Sequence, residues 1–146
     1  MSLTMSRAER EAFLADVHVG VLSVNQPHQG PLAVPVWYSY EPGSTVNVIT
    51  GATSRKARSI MEARRFSLCA QTEVAPYSYV SVEGPLTGTE ETVDPAERRH
   101  MAHRYLGPEF GDLYLQATAD DAAGSVMLRM TPEHWLTADF SKQYPS

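Results

Sequence analysis

The sequence predicts a small, mainly antiparallel β barrel with peripheral helices, and three observations predict it. Short stretches of alternating or β-branched residues recur from residue 17 onward, turn chemistry links the first of them directly, and the regular strand–helix–strand alternation of a doubly wound sheet is missing. The chain of 146 residues, 42% apolar, 20% charged and 9% aromatic, has the composition of an ordinary globular domain. A chain of this length buries about 68–70% of its unfolded surface without needing disulfides or a metal. It reads as one domain over residues 1–146, with no repeat, low-complexity stretch or linker.

Ser6-Arg7-Ala8-Glu9 has capping-box spacing and predicts a helix over about 7–15. VHVGVLSVN at 17–25 sets Val17, Val19 and Val21 on one strand face, and NQPHQG turns the chain into PLAVPVWYSY at 31–40. EPGS at 41–44 turns it again into TVNVIT at 45–50, so the first three strands read as an antiparallel meander. Pro35 puts the second strand at an edge or beside a bulge, because proline cannot donate to a central ladder. Trp37 and Tyr38 are adjacent and must face opposite sides, one toward the core and one toward a pocket.

Past Gly51 the pattern is helical, with Ser54 as N-cap and Ala57, Ile60 and Met61 as one buried stripe. FSLCAQT at 66–72 and YSYVSVEGPLTGTE at 77–90 return to strand, the second bent or interrupted at Gly84-Pro85. Asp94-Pro95-Ala96-Glu97 opens a helix that ends at Leu106, before Gly107-Pro108. A looser helical stretch over about 109–117, a strand at 124–131 and a short strand around His134–Thr137 complete six or seven strands and three or four helices.

Twelve Lys and Arg against 17 Asp and Glu give a net charge of −5, which argues against nonspecific binding to nucleic acid or an anionic membrane. The segment RKARSIMEARR at 55–65 is the exception: Arg55, Lys56, Arg58, Arg64 and Arg65 face only Glu62, leaving about −9 on the rest of the chain. A local basic site in an acidic protein suits a small anionic ligand. The single Cys69 excludes an internal disulfide framework and a multi-cysteine metal site, and it fits a reducing compartment. No run approaches the ~18 apolar residues of a membrane span. MSLTMSRAEREAF carries acidic residues where a secretory signal would be apolar, so a cytoplasmic protein is expected.

With Ser54 as cap, Arg55 and Lys56 fall in the first helical turn, where cations oppose the macrodipole at a cost of about a few tenths of a kcal/mol each. A phosphate reverses the sign, since free N–H groups, dipole and cations then converge on one anion. The residues alone leave two readings: a phosphate cradle, or a basic pair solvated on an exposed turn. His100 and His103 lie three apart on a predicted helix without a third ligand, and they read as helical side chains with no metal site. Cys69 reads as strand packing, because its neighbours supply no base. Tyr77, Tyr79 and Trp135 are suited to cover a ligand or to pack at a subunit interface.

VITGATSRKARSIMEARRFSLCAQ, from Val48 to Gln71, resembles the strand–loop–helix–strand unit of the FMN-binding split barrels related to pyridoxamine 5′-phosphate oxidase, which include deazaflavin-dependent reductases. PVWY at 35–38 and PYSYVSVEGPL at 76–86 resemble that family's neighbouring strands, and the resemblance runs from about Ala12 to Lys142. It implies a homodimer of six-stranded antiparallel split β-barrels with the cofactor at the subunit interface. That cofactor is FMN or, alternatively, the deazaflavin coenzyme F-420. The resemblance puts Arg55 and Lys56, on the helix capped by Ser54, at the cofactor phosphate, and Thr50 and Gly51 beside the ring or ribityl chain. It puts Gln71 on the adjoining strand and Val36 and Trp37 on the ring face; Tyr79 and Trp135, from the residue reading above, are the candidates for a substrate pocket.

No catalytic side chain is implied, because hydride transfer is the cofactor's chemistry. The implied activity is an oxidoreductase passing a hydride between bound cofactor and a small organic substrate. A noncatalytic flavin or haem carrier of the same fold is the competing reading. PLAVPVWYSY lacks the Arg and Lys that vitamin B6 oxidases carry in that strand, and neither Arg nor His follows Trp135. Vitamin B6 oxidase activity itself is therefore not expected.

Overall fold

Helix α1 (Arg7–Ala15) starts as its capping box requires, and the chain then forms the hairpin β1 (Gly20–Gln26) and β2 (Gln29–Val36). Strand β3 (Val46–Gly51), helix α2 (Arg55–Ala63), strand β4 (Arg65–Gln71) and the long strand β5 (Ser78–Glu90) follow. Helix α3 (Pro95–Ala117), the short α4 (Ala119–Ala122), strands β6 (Ser125–Met130) and β7 (His134–Asp139) and a terminal 3-10 turn (Phe140–Gln143) complete a computed structural model that describes residues 2–145.

The strands pair antiparallel in the order β2-β1-β4-β5-β6-β3, with β7 added on β5, which makes seven strands among the described residues, within the six or seven read from the residues and one more than the resemblance implies. Beyond β2 the chain meets the far edge strand β3 through one bridge, Ser39 and Asn47 exchanging N–H···O bonds of 3.0 Å, so the curled sheet nearly closes. Inside it, Leu22, Leu68 and Val82 are direct partners across β1, β4 and β5, and all three are fully buried.

The expected meander is corrected: β3 pairs with β6, and the segment after β2 reaches β3 only through that bridge. The backbone of Tyr38 is diverted, its N–H donating to the Tyr105 hydroxyl at 3.0 Å and its carbonyl accepting from Arg104. Strand β1 likewise starts at Gly20, three residues later than the valine run. The carbonyl of His18 accepts from Tyr105 of α3 in place of a strand partner, and those of Ala15 and Asp16, at the end of α1, accept from Arg104. Val17, Val19 and Val21 are exposed, while Leu22 and Val24 fill the barrel. Met61 is 42% exposed and lies outside the stripe of α2, which buries Ala57 and Ile60. Pro35 sits on the edge strand as expected.

Strand β5 is continuous through Gly84-Pro85 yet changes partners there, pairing with β4 and β7 before the bend and with β6 from Leu86 on. The bend needs glycine. A Cβ on Gly84 would lie 1.9 Å from the carbonyl oxygen of Thr131. Helix α3 opens with Asp94 accepting from Ala96 N–H and breaks at Gly107 (φ 78°), the end expected from Gly107-Pro108. Among the described residues, no helix is long and apolar enough to cross a membrane.

Gly84→Ala is expected to destabilise the protein by about 3 kcal/mol or more, the range of core overpacking where backbone must move. Gly30→Ala, where a Cβ meets nothing within 4 Å, is expected to stay within about 1 kcal/mol. Urea denaturation of the two variants beside the parent measures the contrast, and equal effects would contradict the close-packed bend.

Candidate functional site

Two cavities meet at the exposed end of β3. The first, about 410 Å³, is lined by Val19, Pro35, Val36, Trp37, Ile49, Thr50, Lys56 and Tyr114. The second, about 550 Å³, shares Trp37, Ile49, Thr50 and Tyr114 with it, and adds Gly51 and Thr53 from the β3–α2 loop, Arg98 and Met101 from α3, and Asp120 and Asp121. Both volumes fall in the range of small-molecule sites.

The first turn of α2 opens on this groove. Ser54 Oγ accepts from the N–H of Ala57 at 3.2 Å and lies 3.3 Å from Thr50 Oγ1, fixing the helix start to the end of β3. Arg58 N–H bonds to the carbonyl of Ser54, so the N–H groups of Arg55 and Lys56 have no partner among the described residues. No acidic residue stands in that turn. The basic pair splits, however. Lys56 lines the groove, whereas Arg55 turns to the β1–β2 hairpin, where it donates to Gln26 at 2.9 Å and Gln29 at 3.3 Å.

Trp37 and Tyr38, just past the end of β2, take opposite sides. Tyr38 is fully buried and its hydroxyl donates to the carbonyl of Leu14 at 2.7 Å. Burial pushes that hydroxyl, and the one on Tyr105, above the ordinary tyrosine range, so both stay protonated as donors. Trp37 stacks on Tyr105, with centroids 5.0 Å apart and planes 6° from parallel, and meets Tyr114 at 5.2 Å. One face of the indole is thus covered by α3, and the remainder faces the cavities.

The structure gathers Val36, Trp37, Thr50 and Lys56 in one groove and Gly51 in the adjoining chamber. Gln71 and Tyr79 are direct partners on the outer face of the sheet and line a separate hollow of about 300 Å³. Trp135 pairs with Val82 on the inner side, where it packs against the core beneath the Arg10 guanidinium (4.5 Å) and edge-on to Tyr40. It does not line the groove. Cys69 is half-buried on β4, and burial pushes its thiol up, away from nucleophilic use. His103 is bonded to Asp112 at 2.7 Å.

Sequence reading passed over Arg98, Met101, Ala102 and Tyr105, which stand at i, i+3, i+4 and i+7 of α3, the spacing of one helix face. The mixture of a cation, a small residue and a tyrosine hid the stripe.

The fold is thus a curled antiparallel barrel with a basic helix start beside an aromatic-walled groove. The pyridoxamine 5′-phosphate oxidase family matches residues 6–136, and the chain belongs to that family. Among solved structures, a conserved hypothetical protein from Mycobacterium tuberculosis is similar at 22% identity and TM-score 0.75, covering 99% of this chain and 92% of its own. An F-420 reductase is similar at 20% identity and TM-score 0.72, covering 86% of this chain and 94% of its own. An FAD and haem binding protein from Mycobacterium smegmatis is similar at 13% identity and TM-score 0.66, covering 93% and 72%. At these identities the likeness is one of fold. No curated protein matches the chain.

Tyr105→Phe keeps the ring on Trp37 but removes the hydroxyl that donates to His18 and accepts from Tyr38. The expected loss is about 1–3 kcal/mol, the cost of buried groups left unpaired, read by urea denaturation. A variant as stable as the parent would show that α3 is not anchored there.

Proposed function

We propose that the Lys56 groove binds FMN or the deazaflavin coenzyme F-420, and that the protein is an oxidoreductase exchanging a hydride between that cofactor and a small organic molecule. The carrying observation is the first turn of α2, where Lys56 lines a groove walled by Trp37 and Tyr114 and the N–H groups of Arg55 and Lys56 have no partner among the described residues. That donor set fits a phosphate, and the aromatic wall fits a flat ring. Bound there, the cofactor supplies the redox chemistry. The chain's own part is to hold the phosphate through Lys56, to seat the ring against Val36 and Trp37, and to keep water off it with α3.

Lys56→Ala is expected to weaken FMN or F-420 binding by about 1.5–3 kcal/mol, one charge-assisted contact, while leaving the cofactor-free protein equally stable or slightly more so. Arg55→Ala, by contrast, loses the hairpin bonds to Gln26 and Gln29, so its melting temperature should fall. Titration of each cofactor into parent and variants, with thermal unfolding of each, separates the two roles. Unchanged affinity in Lys56→Ala would return the basic turn to a solvated surface. The spectrum of the purified protein decides among chemistries: a flavin or deazaflavin band supports the proposal, whereas a Soret band would favour a haem carrier.

The proposed active form is a homodimer. Pro35, Val21, Cys69, Ser81 and Leu136 are successive direct partners across β2, β1, β4, β5 and β7, forming a row on the outer face that is apolar apart from Ser81, with Val21 42% and Leu136 65% exposed. Such a face calls for a partner. The same reading assigns Gln71 and Tyr79, on that face but outside their own groove, to the groove of the second copy. Sedimentation is expected to show a dimer at micromolar concentration and a monomer for Val21→Glu. A monomeric parent with cofactor present would overturn this assembly.

A further inference from the structure

The stretch after Gly107 lies across both cavities yet is thinly held. Gly107 has φ 78° and ψ 172°, and Pro108 follows it without an N–H, so the helical ladder of α3 is cut at that point. Beyond the cut, residues 108–110 and 112–114 are exposed and Gly111 alone is buried, with Phe110 69% and Leu113 59% exposed. The same stretch nevertheless supplies Tyr114 to both cavities and Thr118, Asp120 and Asp121 to the larger one.

Its attachments are side-chain latches to the first half of α3, to Trp37 and, near its end, from Ser125 Oγ to the Asp121 carbonyl at 2.9 Å. His103 Nε2 bonds to Asp112 Oδ1 at 2.7 Å, and Arg98 donates to the carbonyl of Thr118 at 3.0 Å and to its hydroxyl. Arg98 also lies 5.9 Å from the centre of the Tyr114 ring, whose other contact is Trp37. Close seating depends on the absence of a side chain at Gly111, where a Cβ would come 2.5 Å from His103 Cδ2 and 3.3 Å from the Ala102 carbonyl.

We propose that residues 108–122 are a flap hinged at Gly107, which swings to admit ligand to the joined cavities and is seated by Gly111, His103–Asp112 and Arg98–Thr118. Tyr114 is its inner face. Seated, it partitions the Lys56 groove from the Arg98 chamber. Lifted, it removes a wall common to both. The hinge stands on the geometry alone, and its role in cofactor access rests on the proposed function above.

Hydrogen–deuterium exchange of the cofactor-free protein tests the hinge first. Residues 108–122 are expected to exchange at least about tenfold faster than residues 95–106, since a latched flap opens without unfolding the helix beneath it. In Gly111→Ala the flap should exchange about tenfold faster still with 95–106 unchanged, and FMN, measured by fluorescence, should dissociate faster by a similar factor. His103→Ala, which inserts nothing, should shift both readouts in the same direction and guards against a Gly111 variant that folds poorly. Equal exchange on the two sides of Gly107 in the parent, or variants in which 108–122 and 95–106 accelerate together, would overturn the flap. If FMN does not bind the parent at all, the cofactor reading fails while the exchange comparison still decides the hinge.

Discussion

Both halves of the barrel hang on one strand. Among the described residues, β5 alone pairs with β4 and β7 on one side of the Gly84-Pro85 bend and with β6 on the other. The crossing is sealed by backbone: Thr131 N–H donates to the Pro85 carbonyl at 3.0 Å, Glu133 N–H to Glu83 at 2.9 Å, and Leu86 N–H to Arg64 at 2.9 Å. With no room for a side chain at Gly84, the turn from β6 into β7 lies directly against the bend. That contact sets the angle between the two parts of the sheet, and hence where the end of β3, carried on β6, stands relative to the hairpin of β1 and β2.

The cavities form in the gap this angle leaves, because α3 covers only part of it. Arg104 and Tyr105 satisfy the carbonyls of Ala15 and Asp16, orphaned at the end of α1, and those of His18 and Tyr38, which have no strand partner. Unpaired buried backbone is costly, so these bonds fix α3 firmly at its middle. The Arg104 guanidinium also lies over the rings of Tyr38 and Tyr105, at 5.4 and 5.7 Å. The firm part of the helix thereby stacks Tyr105 on Trp37, and the part past Gly107 is left to side-chain latches. Rigid support and mobile wall belong to a single helix, separated by one glycine.

What the sequence made legible was local. Ser6, Ser54 and Asp94 act as caps, Gly107-Pro108 ends a helix, Pro35 marks an edge and Gly84-Pro85 a bend, because each depends on the chemistry of a few adjacent residues. The partner of β3 was not legible, since the bonds that draw the 37–40 segment away come from residues more than 60 positions later. Trp135 could not be placed for the same kind of reason: its face follows from the register of β7 on β5, which no spacing within residues 134–139 reveals. Of the candidate site, Val36, Trp37, Thr50, Gly51 and Lys56 were readable because one strand end and one helix start carry most of them. The wall opposite, from Arg98 to Asp121, was not.

The split of Arg55 from Lys56 sharpens what a basic helix start means. Two cations in a first turn oppose the helix dipole, and a fold selected for stability alone has little reason to keep them. Arg55 has a reason within the fold, since its guanidinium ties the start of α2 to both glutamines flanking the β1–β2 turn. Lys56 has none among the described residues: it makes no ion pair, borders the groove and stands beside two N–H groups without partners. A cation left over after the fold's own interactions are accounted for, at the positive end of a helix and against an aromatic wall, is the group the proposed phosphate site would use. Arg55 then contributes indirectly, by holding rigid the helix start from which Lys56 reaches.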